Sequence, residues 1–163
     1  MKTEAAVFVA ASAAIASAAT FVGSYQGHDY YVTDAESSVF DARMVAVNLG
    51  GHLVTINDQA EQDWLNAELG FTTFYWIGYS DEIQEGVFVW DSGEVSGYTF
   101  FAPGEPNNFQ GTEDHVVMNW TSDGRWNDGD GSDRALAIIE VVPAPGASVL
   151  AVVGLGVAAR RRR

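Results

Sequence analysis

Residues 105–128, EPNNFQGTEDHVVMNWTSDGRWND, combine acids, amides and glycines in an order that decides how the whole chain is interpreted. Glu105-Pro106-Asn107 offers two oxygen-bearing side chains flanking a proline, and Glu113 follows eight residues after Glu105. Trp126-Asn127-Asp128 adds an amide and a carboxylate. Ca²⁺ binds about six to eight such oxygens in a flexible shell, whereas Zn²⁺ prefers His or Cys. Each element alone is common in solvated loops, so only their combination predicts a calcium site.

Strand-like segments lie within and around this stretch, and the second half of the chain is therefore predicted to be β-rich. They are Phe74–Gly78, Val87–Trp90, His115–Trp120 and Ala135–Val142. Asp91–Asp114 is rich in glycine, proline and asparagine and is too long for an ordinary connection, so it must be either disordered or functional. Its aromatic residues Phe100, Phe101 and Phe109 argue against disorder.

The first half of the chain begins with the pattern of a strand followed by a helix. Alternation from Tyr25 to Val32 predicts the strand, and Thr33 with Glu36 has the spacing of a capping box for the helix. Gly50-Gly51 should end this helix. The apolar residues that recur at helical intervals within it are Val39, Phe40, Met44 and Val47.

A second helix is predicted to begin after Asn57 or Asp58, either of which can cap it. Its apolar side consists of Trp64, Leu65 and Leu69, and Gly70 follows it. Four of the tryptophans are predicted to fill the core, although an aromatic ring at the rim of a loop can also stack on a sugar. They are Trp76, Trp90, Trp120 and Trp126.

The order of these elements resembles the C-type lectins. The residues of 105–128 resemble the family's primary calcium and sugar site, and further matches run from about Tyr25 to Val141. These matches are Leu49–Ile56 (LGGHLVTI) followed by Glu61, then Trp76-Ile77-Gly78, and Ile139-Glu140. The resemblance implies an α+β C-type lectin-like fold with two helices, small antiparallel sheets and a long calcium-binding loop.

In that family one calcium ion binds two neighbouring sugar hydroxyls, and its protein ligands also hydrogen-bond the sugar. The resemblance implies that the primary calcium ligands are Glu105, Asn107, Glu113, Asn127 and Asp128. The first four of these would also bind carbohydrate. The proline between the first two, Pro106, would follow a cis bond. A Glu-Pro-Asn order accompanies mannose-type sugars in the family, whereas Gln-Pro-Asp accompanies galactose.

A second calcium position of the family is also partly matched. Its residues here are Asp81, Glu85, Asn108 and Asp114, together with Glu113 of the first site. Asn108 stands where a carboxylate is common, and the loss of one charge should weaken this second ion. The alternative for Asp81 and Glu85 is an exposed hairpin turn without metal.

The chain contains no cysteine, so the family's disulfides are missing. Ala46, His115 and Ile139 occupy positions where the family typically has cysteine. Packing of the core must replace the disulfides, and calcium is expected to contribute much of the order of the long loop.

The N-terminus has the composition of a secretion signal. Lys2 precedes an apolar run from Ala5 to Ala19, and Ala16-Ser17-Ala18 is a small-x-small cleavage site. We therefore expect a signal peptide at residues 1–19 and a lectin-like domain at residues 20–142. A buried N-terminal helix fits less well because the run has no polar face.

The C-terminus, residues 143–163, has the composition of a membrane anchor or sorting signal. Pro143-Ala144-Pro145 opens an apolar segment of roughly 16 residues, about 24 Å as a helix and short for a bilayer core of about 30 Å, and Arg160–Arg163 close it. This order resembles the bacterial PEP-CTERM sorting tail, which an exosortase processes, although Pro143-Ala144-Pro145 replaces Pro-Glu-Pro. It predicts export to a bacterial cell envelope, cell surface or extracellular matrix.

The negative charge of the chain disfavours anionic partners. Residues 20–142 carry 21 acidic and 3 basic side chains, a formal charge of −18. Nucleic acid and anionic membrane surfaces are repelled by such a field, whereas cations are attracted. Most of these carboxylates are explained by a solvated acidic surface.

Three classes of function remain open from the sequence. The favoured one is a calcium-dependent carbohydrate-binding module, and the second is a calcium-stabilised structural or protein-interaction domain that binds no sugar. The third is a glycosidase that uses Glu105 and Glu113, which would require one acid with a raised pKa. A shared calcium would lower these pKa values instead, and no Ser-His-Asp or Cys-His set is evident. The chain is therefore predicted not to be an enzyme.

Overall fold

The computed structural model describes residues 18–143. Most of the predicted signal peptide and the tail from Ala144 onward lie outside the described residues, so both remain predictions. The strands are β1 (Ala19–Tyr25), β2 (His28–Thr33), β3 (His52–Leu53), β4 (Tyr75–Ser80), β5 (Val89–Trp90), β6 (His115–Met118), β7 (Asn127–Gly129) and β8 (Leu136–Val141). The helices are α1 (Val39–Asn48) and α2 (Gln59–Leu69), and Phe109–Gly111 forms one 3₁₀ turn. Neither α1 nor α2 has the length and apolar character needed to cross a bilayer.

The strands form one connected, mixed sheet in the order β1-β2-β8-β4-β6-β7, with β3 paired to β8 and β5 to β4. Its pairings are antiparallel except for β4 with β8, which run parallel. The predicted α+β fold with two helices is confirmed. The separate antiparallel sheets that we expected are joined, because β8 pairs with β2 on one side and with β4 on the other.

The N-terminal strand predicted from Tyr25 to Val32 is in fact the middle of a hairpin. The turn falls at Gln26 and Gly27, which both have positive φ angles of 50° and 90°. Two consecutive residues of this kind make the tight turn that matches the twist of paired strands. Gln26 is not a residue that usually marks such a turn, and the predicted strand therefore continues across the turn.

Helix α1 exists as predicted, but its cap and its buried face differ. Its N-cap is Ser38, whose hydroxyl accepts a hydrogen bond from the N–H of Asp41, so the predicted capping box of Thr33 and Glu36 is wrong. The buried face consists of Val39, Ala42 and Ala46. The three other apolar residues that predicted the helix point into solvent, with exposed fractions of 52% for Phe40, 61% for Met44 and 66% for Val47.

Helix α2 agrees with the sequence and supports the long loop. Asp58 is its N-cap and accepts a hydrogen bond from the N–H of Glu61 at 2.9 Å, and Gly70 ends it with φ of 70°. Gln62 is fully buried on this helix, and its Oε1 accepts a hydrogen bond from the indole N–H of Trp126 at 2.7 Å. The helix thereby fixes the residue that immediately precedes the candidate calcium ligands of β7.

Replacing Asp58 by alanine is expected to lower the free energy of unfolding by about 1 kcal/mol, because the first turn of α2 then loses the acceptor for one N–H group. Urea unfolding of Asp58→Ala beside Glu68→Ala measures this, since Glu68 is an exposed acid on the same helix. Equal unfolding midpoints for the two variants would contradict the capping role.

An aromatic cluster forms the core beneath the long loop. Trp126 is fully buried at its centre, with Tyr98 and Phe101 of the loop at ring-centroid distances of 5.7 and 5.8 Å, and Trp90 at 6.0 Å. Such edge-to-face arrangements are the favoured geometry of aromatic pairs. The loop between β5 and β6 is therefore anchored by Tyr98 and Phe101, whereas Phe109, which also argued against disorder, is 62% exposed.

Candidate functional site

Asp128 connects the long loop to strand β7. Its carboxylate is 1% exposed and accepts two backbone hydrogen bonds, from the N–H of Asn107 at 3.1 Å and from that of Asn108 at 2.7 Å. The bond between Glu105 and Pro106 is cis, as expected. One buried acid therefore fixes the backbone that carries the Glu-Pro-Asn residues.

Hydrogen bonds link the other acids of the loop to its asparagines. The Asn107 amide donates to the Glu105 carboxylate, so the two side chains that flank Pro106 are in contact. The Glu113 carboxylate accepts from the N–H of Phe109 at 2.7 Å, and the Glu113 N–H donates to Oδ1 of Asn108 at 3.2 Å. Four of the five predicted primary ligands thus belong to this loop and to the β7 residue that binds it.

Asn127, the fifth, presents an unsatisfied oxygen. The residue is 5% exposed on β7, and its amide N–H donates to the backbone carbonyl of Asp128. Its Oδ1 is buried and has no hydrogen-bond partner. A buried carbonyl oxygen without a partner costs about 1–3 kcal/mol, and such atoms call for an explanation. A cation is a partner that an acceptor oxygen can take, and the donor set fits calcium because all of its members are carboxylate or amide oxygens.

The carboxylates of the site repel one another. Burial raises the pKa of Glu105, and the neighbouring charges of Asp128 and Glu113 raise it further, whereas the hydrogen bond from Asn107 lowers it. Burial likewise raises the pKa of Glu113, and the charge of Asp128 adds to the rise against the lowering effect of the Phe109 N–H. A divalent cation among these groups would replace repulsion by attraction. Among residues 18–143, no group of three Asp, Glu, His or Cys side chains is arranged to hold a metal on its own, so the amide oxygens of the asparagines would be needed as ligands as well.

The second predicted calcium position is centred on a buried acid with two different oxygens. Asp81 is 2% exposed, and its Oδ2 accepts a hydrogen bond from the N–H of Gly86 at 2.8 Å, which closes a turn. Its Oδ1 is buried and without a partner. The Asp81 N–H donates to the backbone oxygen of Asp114 at 3.1 Å, which brings these two residues together, whereas Glu85 is exposed on the turn. The turn of the alternative prediction is present, but Asp81 is buried in it rather than exposed, and one of its oxygens has no hydrogen-bond partner.

Two aromatic residues beside the site, Phe74 and Trp120, were not among the predicted site residues. Trp120 was expected in the core, but it is 47% exposed, and its ring lies 5.6 Å from that of Phe74, which is 48% exposed. A pair of half-exposed aromatic rings next to polar ligands is a feature that sequence spacing does not reveal, because Trp120 lies in the turn after β6.

The fold and the residues at this site match a known family. Residues 35–139 match the family model described as the Lectin C-type domain. This chain belongs to the C-type lectin domain family. Members of the family generally bind Ca²⁺.

Curated relatives of this C-type lectin include proteins of very different lengths. The low affinity immunoglobulin epsilon Fc receptor of Mus musculus is 39% identical over 104 residues, which are 64% of this chain and 30% of the receptor. Lectin BRA-3 of Megabalanus rosa is 32% identical over 108 residues, which are 65% of this chain and 66% of that lectin. The chain thus spans less than a third of the first relative and just under two thirds of the second.

Solved structures resemble this C-type lectin over most of their length. The cow C-type carbohydrate-recognition domain of CD23, solved in the presence of a GlcNAc2Man3 oligosaccharide, is 31% identical with a TM-score of 0.67, covering 74% of this chain and 92% of that one. The C-type lectin domain of murine dendritic cell inhibitory receptor 2, in complex with N-glycan, is 29% identical with a TM-score of 0.68, covering 74% and 95%.

Proposed function

We propose that this domain is a calcium-dependent carbohydrate-binding module of the mannose type. The observation that carries the proposal is the buried, unpartnered Oδ1 of Asn127, which lies on β7 next to Asp128, the acid that holds the Glu-Pro-Asn loop. An oxygen in this position requires a partner that the protein itself does not supply.

The residues of the site divide into holding and binding roles. Asp128 holds the loop backbone through two N–H groups, and Glu105 and Asn107 lie side by side as an acceptor and a donor. Such a pair can accept from and donate to the same sugar hydroxyl. The calcium ligands would be Glu105, Asn107, Glu113, Asn127 and Asp128, and when bound the ion would supply direct coordination of two neighbouring hydroxyls.

The Glu-Pro-Asn order is the basis for proposing mannose-type sugars. The structures solved with a mannose-containing oligosaccharide and with N-glycan support glycan as the class of ligand. The second calcium position, at Asp81, Glu85, Asn108 and Asp114, would add an ion beside the first. Its support is the free buried oxygen of Asp81.

A location outside the cytoplasm is part of the proposal. Relatives of this chain are secreted or cell-surface lectins, which supports export. The apolar run of residues 1–19 would direct it, and residues 143–163 would hold or sort the protein at a bacterial envelope through an exosortase-type enzyme. Many weak sites displayed on one surface would bind a polysaccharide with avidity.

One further function has specific support, namely a calcium-stabilised domain that binds no sugar. The oxygens of Asp81 and Asp128 that bind backbone N–H groups stabilise loops directly, which is a structural use of both acids. Catalysis has no comparable support: the relatives are generally not enzymes. The raised pKa values of Glu105 and Glu113 arise from burial and from crowded charges that a cation would offset.

Calorimetric titration of calcium into the metal-stripped protein, followed by a mannose-rich glycan array with calcium and with chelator, tests the proposal. We expect calcium binding and chelator-sensitive glycan binding, both lost in Asn107→Ala and both retained in Asn48→Ala, which alters an exposed asparagine at the end of α1. Calcium binding without glycan binding would favour the structural domain. No calcium binding would overturn both.

A further inference from the structure

A groove next to the candidate calcium site has an aromatic wall. We call it the aromatic groove, and its lining includes the apolar residues Phe74, Val117 and Trp120 and the polar residues Glu113, Asn127 and Arg134. Its volume is about 270 Å³, near the lower end of small-molecule sites. A space of this size suits a ring-sized ligand.

The aromatic wall is held in place by buried hydrogen bonds. Asn119 is 2% exposed with a left-handed φ of 68°, and its amide donates to the backbone oxygens of Gly70 and Thr73, both at 3.0 Å. These bonds tie the end of β6 to the segment before β4, and so place Trp120 next to Phe74. The backbone of Trp120 is further fixed by its main-chain N–H, which donates to the backbone oxygen of Arg125 at 2.9 Å. A surface fixed before binding loses little entropy when a ligand arrives.

The groove is continuous with the candidate calcium site. Glu113 and Asn127 are predicted calcium ligands and also line the groove. An oligosaccharide with one sugar at the calcium site and the next sugar in the groove would therefore place that second sugar beside Trp120 and Phe74.

Resting on the proposed function, the geometry points to the aromatic groove as a second sugar subsite for the residue adjacent to the calcium-bound sugar. A pyranose ring has an apolar C–H face and a polar edge, and it therefore matches a groove lined by both half-exposed aromatic rings and charged groups. The exposed Arg134 lines the same groove, and although its Nη2 donates to the backbone oxygen of Glu36, its guanidinium has further N–H donors for the hydroxyls of that edge. The domain thus recognises an oligosaccharide rather than a single terminal sugar.

The test compares the affinities of methyl α-mannoside and of an α-linked mannotriose for the calcium-loaded protein by calorimetry. The trisaccharide is expected to bind more tightly than the monosaccharide. In Trp120→Ala its affinity should fall about tenfold, equivalent to about 1.4 kcal/mol, while the affinities for methyl α-mannoside and for calcium stay unchanged. Trp120→Phe should retain most of the trisaccharide affinity because it keeps an aromatic face.

Phe21→Ala is the matched control. Phe21 is 53% exposed and packs edge-on against Tyr31 at 5.3 Å, but it lies on β1, at the opposite edge of the sheet from β7. A second readout is the indole N–H resonance of Trp120 in NMR spectra, assigned by its disappearance in Trp120→Phe. It should shift on addition of mannotriose and return with chelator.

The outcomes separate the two proposals. If neither sugar binds the calcium-loaded protein, the proposed function fails and the subsite fails with it. If methyl α-mannoside binds but Trp120→Ala leaves the trisaccharide affinity unchanged, the subsite alone is overturned. A Trp120→Ala variant that loses calcium or monosaccharide affinity to the same extent would show a purely structural role and would also overturn it.

Discussion

Removing calcium with a chelator is expected to lower the thermal unfolding midpoint by roughly 10 °C. An ion present at about 100 times its dissociation constant, and bound only by the folded state, contributes about 2.7 kcal/mol. For a domain of this size each kilocalorie corresponds to a few degrees. The effect should be large here because the loop has no disulfide and its acids repel one another without a cation. Scanning calorimetry in calcium and in chelator measures it.

Acidity should reduce this difference in midpoints. Folding raises the pKa of Glu105 and Glu113, so in chelator their ionisation opposes folding at neutral pH. This penalty in chelator disappears as the pH falls through the raised pKa values of the folded protein toward the ordinary pKa values of the unfolded chain. In calcium, protons compete with the ion for the same carboxylates over this pH range. The two midpoints should therefore converge on acidification. Magnesium in place of calcium is the control, since its smaller, stricter shell fits a flexible oxygen site poorly. Identical midpoints in calcium and chelator at neutral pH would contradict the prediction.

The sequence predicted the order of the elements better than it predicted their orientation. Helix α1 has apolar residues on two sides, and its periodicity cannot tell which side meets the sheet. The structure buries Ala42 and Ala46 and leaves Phe40 and Met44 exposed. Small side chains let a helix lie close to a sheet, and their weak hydrophobicity hides them from a search for apolar stripes.

For the candidate site, the resemblance of the ordered residues to the C-type lectins carried most of the prediction. All five predicted primary ligands lie in the loop of residues 105–113 or on β7, and Asp128 connects the two through the loop backbone. Their assignment as calcium ligands stays a prediction. The exposure of Trp120 could not be predicted because it depends on the left-handed conformation of the buried Asn119 before it. Strand β7 was also missed, since its Asn127-Asp128-Gly129 sequence has none of the residues typical of strands.

Replacing Asp128 by alanine is expected to reduce calcium affinity by more than the roughly 10–100-fold that the loss of an outer-shell partner costs. The substitution removes a proposed ligand and, at the same time, the acceptor for the N–H groups of Asn107 and Asn108. The loop then loses the hydrogen bonds that hold its backbone at Asn107 and Asn108 against β7. Calorimetric titration of calcium measures the affinity, and Asp63→Ala, which removes an exposed acid from α2, controls for the general loss of one negative charge.

Asp128→Asn separates the two roles of this carboxylate. An asparagine oxygen can still accept backbone hydrogen bonds, but the negative charge is gone, and one of the two acceptor oxygens becomes a donor. If charge dominates, Asp128→Asn should lose nearly as much calcium affinity as Asp128→Ala. The amide resonances of Asn107 and Asn108 in the metal-free protein should then change less in the asparagine variant than in the alanine variant. Calcium affinity equal to wild type in Asp128→Ala, with the fold intact, would exclude Asp128 from the metal site and leave it only the backbone contacts that the structure shows.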